Sequence, residues 1–206
     1  MLELLLPKHC AGCGAVGVTL CEPCRTAWRR IPFRVEPRVD PRVPVFALGP
    51  WGGVHRSTVL AIKERGRRDA IPEVGAVLRS AIVFLSARGE LPECSGIVLS
   101  PAPTRKRAAR LRGGDPVTAI CRATGLTVVQ LVHLDASVED SAGLDAPARR
   151  ANLVGAVRDE RRRPRVDEGV VLVDDVVTTG ATATATIERL SVAGIQVTGV
   201  VALTAA

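Results

Sequence analysis

The chain predicts an α/β domain, a mostly parallel sheet flanked by helices, with a small cysteine knuckle at its N-terminus. Three observations lead there. From residue 96 onward, apolar runs alternate with helical patterns, which is how right-handed βαβ units read. The run Val170-Val171-Leu172-Val173 is rich in β-branched residues and suits a parallel strand covered on both faces. Four of the six cysteines form two C-x2-C hooks, Cys10/Cys13 and Cys21/Cys24.

The hooks come first. Each sets two thiolates on one side of a tight turn, Gly12 and Gly14 giving the first its backbone freedom, and two hooks make a tetrahedral four-sulfur site. Two disulfides are disfavoured in a cytosolic protein. Seven residues separate the hooks, which fits a compact knuckle or treble-clef start better than a long ribbon. With no open coordination position, the Zn²⁺ expected on Cys10, Cys13, Cys21 and Cys24 is structural. His9 is the alternative to one thiolate. Of the other cysteines, Cys121 falls on the apolar face of a predicted helix and belongs in the core, and Cys94, in a turn, has no assigned role.

Residues 30–50 hold Pro32, Pro37, Pro41, Pro44 and Pro50 and read as a linker with one short strand around Val43–Leu48. A helix is expected near Val54–Glu64, carrying Lys63. Apolar spacing at Ile71, Val74, Leu78, Ala81, Ile82 and Leu85, with Pro72 in the first turn, predicts a second that covers one sheet face. Strands are expected at Ile97–Leu99, Val128–Leu134, Leu153–Val157, Gly169–Asp174 and Gln196–Leu203. A helix should span Asp115–Thr124, with Asp115 as N-cap and Gly125 at its end, and another Gly180–Ala193, stopped by Gly194. The organisation expected is a zinc-binding knuckle over 1–30, a linker and helical hood over 31–95, and the main domain over 96–206.

Ligands of such a sheet sit beyond the carboxyl ends of its strands. There, Val170–Val173 runs into Asp174 and Asp175, followed by the turn Thr178-Thr179-Gly180-Ala181-Thr182. Backbone N–H groups of such a turn and of the helix after it can cradle a phosphate dianion, with hydroxyls as extra donors and Gly180 allowing close approach. The carboxylates can accept hydrogen bonds from a diol. Together these parts suit a ribose 5-phosphate.

Bulk properties agree. Apolar residues are 47% and charged residues 24% of 206, as in a soluble globular protein. No uninterrupted apolar run approaches the ~20 residues of a membrane span. Met1–Lys8 lacks a basic n-region and a small-residue cleavage site, so a cytoplasmic location is expected. The net charge of +7 favours anionic partners. Basic residues gather at Arg105, Lys106, Arg107, Arg110 and Arg112, and again at Arg158, Arg161, Arg162, Arg163 and Arg165. Pyrophosphate capture and nucleic-acid binding both remain open for the first cluster; a solvated linker accounts for the second. Aromatics are only 2%, with no tyrosine, which supplies a base-stacking platform poorly but leaves backbone contact with DNA open.

The stretch 170–182 resembles the phosphoribosyl-pyrophosphate (PRPP) binding motif of type I phosphoribosyltransferases. With the knuckle, Lys63 and the Pro101-containing loop in the same order, the chain resembles the ComF family over essentially its whole length. That resemblance implies a type I phosphoribosyltransferase-like fold behind an N-terminal zinc finger, and an association with competence and DNA uptake in some bacteria. It implies that Asp174 and Asp175 hold the ribose hydroxyls and that Thr178, Thr179, Gly180, Ala181 and Thr182 bind the 5-phosphate. Ser100–Arg105, with Pro101, lies where pyrophosphate binds, and Lys63 joins the ligand-binding set. Ala136–Arg150 matches the mobile loop, and Arg149, Arg150 and Asn152 resemble its R-x-x-N segment. Mg²⁺ would accompany PRPP, with Arg105, Arg107 and Arg112 neutralising the departing pyrophosphate. Two positions depart from the pattern. An arginine-glycine-aromatic-asparagine-glutamine run reads Arg112-Gly113-Gly114-Asp115-Pro116 here, and a glutamine before the mobile loop is Ser141. Both departures fall on the acceptor side. The resemblance therefore implies a PRPP-binding protein with an unknown acceptor or, alternatively, a non-catalytic accessory that binds single-stranded DNA or a helicase.

Overall fold

The computed structural model describes residues 8–103, 114–134, 157–159 and 169–206, with 133–134 and 157–159 described by their backbone alone. One six-stranded sheet organises them. Its strands are β1 (Phe33–Arg34), β2 (Val45–Ala47), β3 (Ile97–Pro101), β4 (Thr127–Val128), β7 (Gly169–Val177) and β8 (Val197–Ala205). They lie in the order β1-β2-β8-β7-β3-β4, and every pairing except β1 with β2 is parallel. A separate antiparallel ribbon joins β5 (Val132–Leu134) to β6 (Val157–Asp159).

β7 sits mid-sheet, and its side chains alternate between two cores, as strand geometry requires. Val171 and Val173 pack on the side of three helices: α2 (Gly53–Glu64), α3 (Ile71–Ala87) and α4 (Pro116–Ala123). Val170 and Leu172 pack with Ala183 and Leu190 of α5 (Ala181–Val192). All four β7 residues are at most 1% exposed, which is why the run carries no polar alternation. Helices on both faces of a mostly parallel sheet are the architecture expected from the alternation.

The helices form for the anticipated reasons. Asp115 caps α4, its carboxylate accepting from the Thr118 N–H at 2.8 Å, and Pro116 fills the first turn, where no N–H is required. In α3, Val74, Leu78, Ile82 and Leu85 are buried on one stripe, and Cys121 of α4 is fully buried in the same core. The stretch Arg68–Ala87 is long and apolar enough by composition to cross a bilayer. Its buried stripe belongs to the core, as in a packed helix of a globular domain.

Several elements differ from expectation. β7 runs on through Val177, three residues past its expected end at Asp174, so Asp175 too lies inside the strand. The reason is β8, whose Thr204 and Ala205 continue the parallel register opposite Val176 and Val177. The single strand expected over Val128–Leu134 is two. Between them the Gln130 carboxamide donates to the carbonyls of Pro101 (3.3 Å) and Val132 (2.8 Å), replacing ladder bonds and turning the chain. The strand expected at Leu153–Val157 is described only from Val157, as β6. The short strand expected around Val43–Leu48 is present as β2, but it and β1 join the main sheet, with Val45, Phe46 and Ala47 opposite Val200, Val201 and Ala202. A short helix, α1 (Glu22–Trp28), follows the first hook. Its pattern was hidden because Cys21, Pro23 and Cys24 resemble a loop.

Candidate functional site

Two clusters carry chemistry. In the first, the Sγ atoms of Cys10, Cys13, Cys21 and Cys24 all lie within 4.8 Å of one another, with Cys10–Cys21 at 3.6 Å and Cys13–Cys21 at 3.5 Å. A tetrahedral ion with metal–sulfur bonds of about 2.3 Å sets its sulfurs about 3.8 Å apart, so four thiolates so placed fit one metal ion. The second hook is a helix start and not a turn: Cys21 is the N-cap of α1 and Cys24 sits one turn in. Gly12 is needed for space, since a Cβ there would lie 2.8 Å from Cys24 Sγ and 2.9 Å from Val54. Burial pushes the Cys10 thiol up, but N–H groups of Cys21, Cys13 and Gly12 outweigh it and bring its pKa from 9.0 down to about 6. Burial and the neighbouring sulfurs push Cys24 up. Metal coordination would replace both states with thiolates.

The knuckle is bolted to the domain. Trp28 is fully buried, donates its indole N–H to Thr58 of α2 at 3.2 Å, and meets the His55 ring edge-on at 4.7 Å. Arg67 donates to the His9 carbonyl at 2.6 Å and pairs with Asp69, which accepts from Thr19.

The second cluster lies at the carboxyl edge of the sheet. Asp174 and Asp175 are half-buried neighbours on β7. Strand alternation would send them to opposite faces, but Asp174 folds back and accepts from the Asp175 N–H at 2.8 Å. Its pKa rises from 3.8 to about 7, first from burial, then from the charge on Asp175. Lys63 of α2 reaches across to form an ion pair with Asp175. The Asp175 carbonyl accepts from Thr204 at 2.9 Å.

Three residues beyond the carboxylates the chain turns. Gly180 adopts φ +81° and opens α5, twelve residues long. Among the described residues, the N–H groups of Thr179, Gly180, Thr182 and Ala183 have no acceptor; the Ala181 N–H reaches only Thr179 Oγ1, at 3.4 Å. These amides stand at the positive end of a helix, where an anion is favoured. Thr178 is exposed, and Thr179, Ala181 and Thr182 are half-buried. The close approach that Gly180 permits is used by the chain itself. A Cβ there would lie 2.6 Å from the Val39 carbonyl oxygen and 2.7 Å from Pro37. Val39 also donates to the Thr179 carbonyl at 2.9 Å and accepts from Thr184 at 3.3 Å. Residues 37–39 thus brace the turn from behind, a contact that a proline-rich linker pattern gave no reason to expect.

Among the expected site residues, the fold gathers Lys63, Asp174 and Asp175 and places Thr178–Thr182 three residues on. Pro101 is buried at the end of β3, opposite Val173. Beside it the Ser100 hydroxyl is fully buried with no partner among the described residues. Arg105, Arg107, Arg112, the 136–150 loop and Asn152 lie outside the described residues. So does all of the second basic cluster except Arg158, which β6 includes.

No known family model matches the chain, and no curated protein does. Among solved structures, it is similar to hypoxanthine phosphoribosyltransferase from Trypanosoma cruzi in a ternary substrates complex, at 18% identity over 66% of this chain and 64% of that one, with a TM-score of 0.34. The same enzyme with its product IMP gives 17% identity over 65% and 66% of the two chains, also at 0.34. An alanine variant from a study of an invariant aspartic acid in HPRTs gives 17% over 68% and 66%, at 0.34. The chain spans just under two thirds of these proteins' lengths. The mostly parallel sheet with helices on both faces, and the four-cysteine cluster before it, stand on this chain's own geometry.

Proposed function

We propose that this chain binds PRPP or a related ribose 5-phosphate at the carboxyl edge of its sheet, as a phosphoribosyltransferase-like protein of the ComF type. One observation carries the reading: the Asp174–Asp175 pair, partnered by Lys63, precedes by three residues a left-handed glycine turn whose amides, at a helix N-terminus, have no partner among the described residues. The turn suits the terminal phosphate and the carboxylates suit the diol. The arrangement is built for a short polar ligand with a dianion at one end.

The chemistry supported is displacement at the anomeric carbon. The bond from C1 to the pyrophosphate oxygen breaks, pyrophosphate leaves with the electron pair, and an acceptor atom bonds to C1. Asp174 and Asp175 would stabilise positive charge growing on the ring, and Arg105 and Arg107 would take up the charge on the leaving group. Bound Mg²⁺ would be held by the diphosphate and the acidic pair, and would supply charge neutralisation. In the knuckle the ion is Zn²⁺ in a structural role, because four thiolates leave it no open position.

Calorimetry with PRPP and Mg²⁺ tests the reading. Wild type is expected to bind, and Asp175→Ala to bind at least tenfold more weakly; absent heat, or equal binding by the variant, removes it. Native mass spectrometry of the same sample should find one zinc per chain. The net charge of +7 supports a second reading, an accessory that binds single-stranded DNA. Neutralising Arg105, Lys106 and Arg107 together should then lower both the affinity and its salt slope.

A further inference from the structure

Away from the sheet edge, a cavity of about 390 Å³ opens between α1 and α3. Its walls are apolar, formed by Leu20, Trp28, Val77, Ala81 and Phe84. Its rim is basic: Arg25, Arg29 and Arg30 line the opening, and Arg88 stands 5.7 Å over the Phe84 ring. One acid, Glu73, belongs to the lining, and a second, Glu22, reaches the arginines from outside it. Glu73 takes one Arg25 nitrogen at 2.5 Å, and Glu22 takes Arg29 at 3.4 Å. The cations outnumber them. Arg25 Nε is buried with no acceptor among the described residues, which a native structure rarely tolerates.

The apolar surface continues past the opening. Ile31, in the cavity lining, is 70% exposed, and Phe33 on β1 is 41% exposed. β1 is the outermost strand of its sheet, so among the described residues nothing pairs with its far side. A small molecule could fill the cavity but would leave Ile31 and Phe33 bare. An extended peptide laid along this edge covers both and reaches the cavity with one side chain. A second copy of this chain, at +7, meets an arginine-rimmed groove with like charge.

We propose that the α1–α3 groove docks an acidic peptide segment of a partner protein. The segment inserts one large apolar side chain between the helices, and its flanking carboxylates pair with the exposed Arg29 and Arg30. Selection of randomised displayed peptides on the immobilised full-length chain tests this. Ser80 lines the cavity from the exposed face of α3, so Ser80→Trp plugs the groove from outside the core. Selected peptides should carry acidic residues around one aromatic or leucine. They should bind Ser80→Trp at least tenfold more weakly at unchanged Tm. Arg30→Glu, at an exposed site, should weaken them similarly, and exchanging the peptide's acids for lysines should restore binding to that variant. The proposal fails if no peptides are selected, if those selected lack acidic residues, or if neither variant changes affinity. It also fails if size-exclusion chromatography finds a dimer that Ser80→Trp dissolves, which would make the groove an interface between copies.

Discussion

Lys63, near the end of α2, forms an ion pair with Asp175 of β7, joining a helix from the first half of the chain to the strand that carries the acidic pair. The side chains are 26% and 17% exposed, between a surface bridge and a buried one. Pairs at the surface contribute about 0–1 kcal/mol, and breaking buried ones costs about 3–5. Lys63→Ala should therefore destabilise the fold by about 1–2 kcal/mol in urea denaturation. Because the Lys63 charge also lowers the pKa of Asp174, the variant should titrate Asp174 still higher, as read by carboxyl-carbon NMR.

Asp174 makes stability depend on pH in an unusual direction for a carboxyl. Its folded pKa, about 7, lies above the ordinary 3.8, so between those values the native state keeps a proton that the unfolded chain releases. Its contribution to stability is then present at low pH and is lost as pH rises toward 7, at up to about 1.4 kcal/mol per pH unit. Asp174→Asn should remove that slope and stabilise the protein at pH 8, measured as the difference between the two denaturation profiles. Ligand binding that requires the ionised pair should strengthen from pH 6 to 8 and release protons.

Gly180→Ala faces two penalties. The left-handed backbone costs about 1–2 kcal/mol for a residue with a Cβ, and that Cβ meets the Val39 carbonyl oxygen at 2.6 Å. A loss of about 2–3 kcal/mol is expected. If the brace yields, the Val39 N–H should exchange with solvent faster as its bond to Thr179 breaks. A stability change under 0.5 kcal/mol with unchanged exchange would mean that residues 37–39 do not hold the turn.

Gly12→Ala puts a methyl against Cys24 Sγ and Val54. The variant should lose zinc to a colourimetric chelator at least tenfold faster than wild type. Removing the metal should unfold the knuckle locally while the sheet keeps its far-ultraviolet circular dichroism. If chelation leaves the tryptophan fluorescence unchanged, the environment of Trp28 does not depend on the metal.

Short-range chemistry was legible in the chain. The Asp115 cap, the α3 stripe, the buried run Val170–Val173 and both cysteine hooks each depend on residues a few positions apart, and the structure has them. The 128–134 segment was not, because its division depends on Gln130 reaching Pro101, 29 residues earlier. Nor was the true end of β7, since Val176 and Val177 stay in the strand only because β8 extends beside them.

The amino-acid order alone determined which residues carry thiolates, carboxylates and hydroxyls at close spacing, because donor type and local spacing are properties of the chain. Tertiary structure alone decided how they meet. It folded Asp174 back onto Asp175, brought Lys63 across 112 positions to the pair, seated Trp28 on α2, and put residues 37–39 behind Gly180. The last three contacts are made by packing between distant elements, and no local pattern encodes such a pairing; the first joins neighbours, but burial in the sheet decides it.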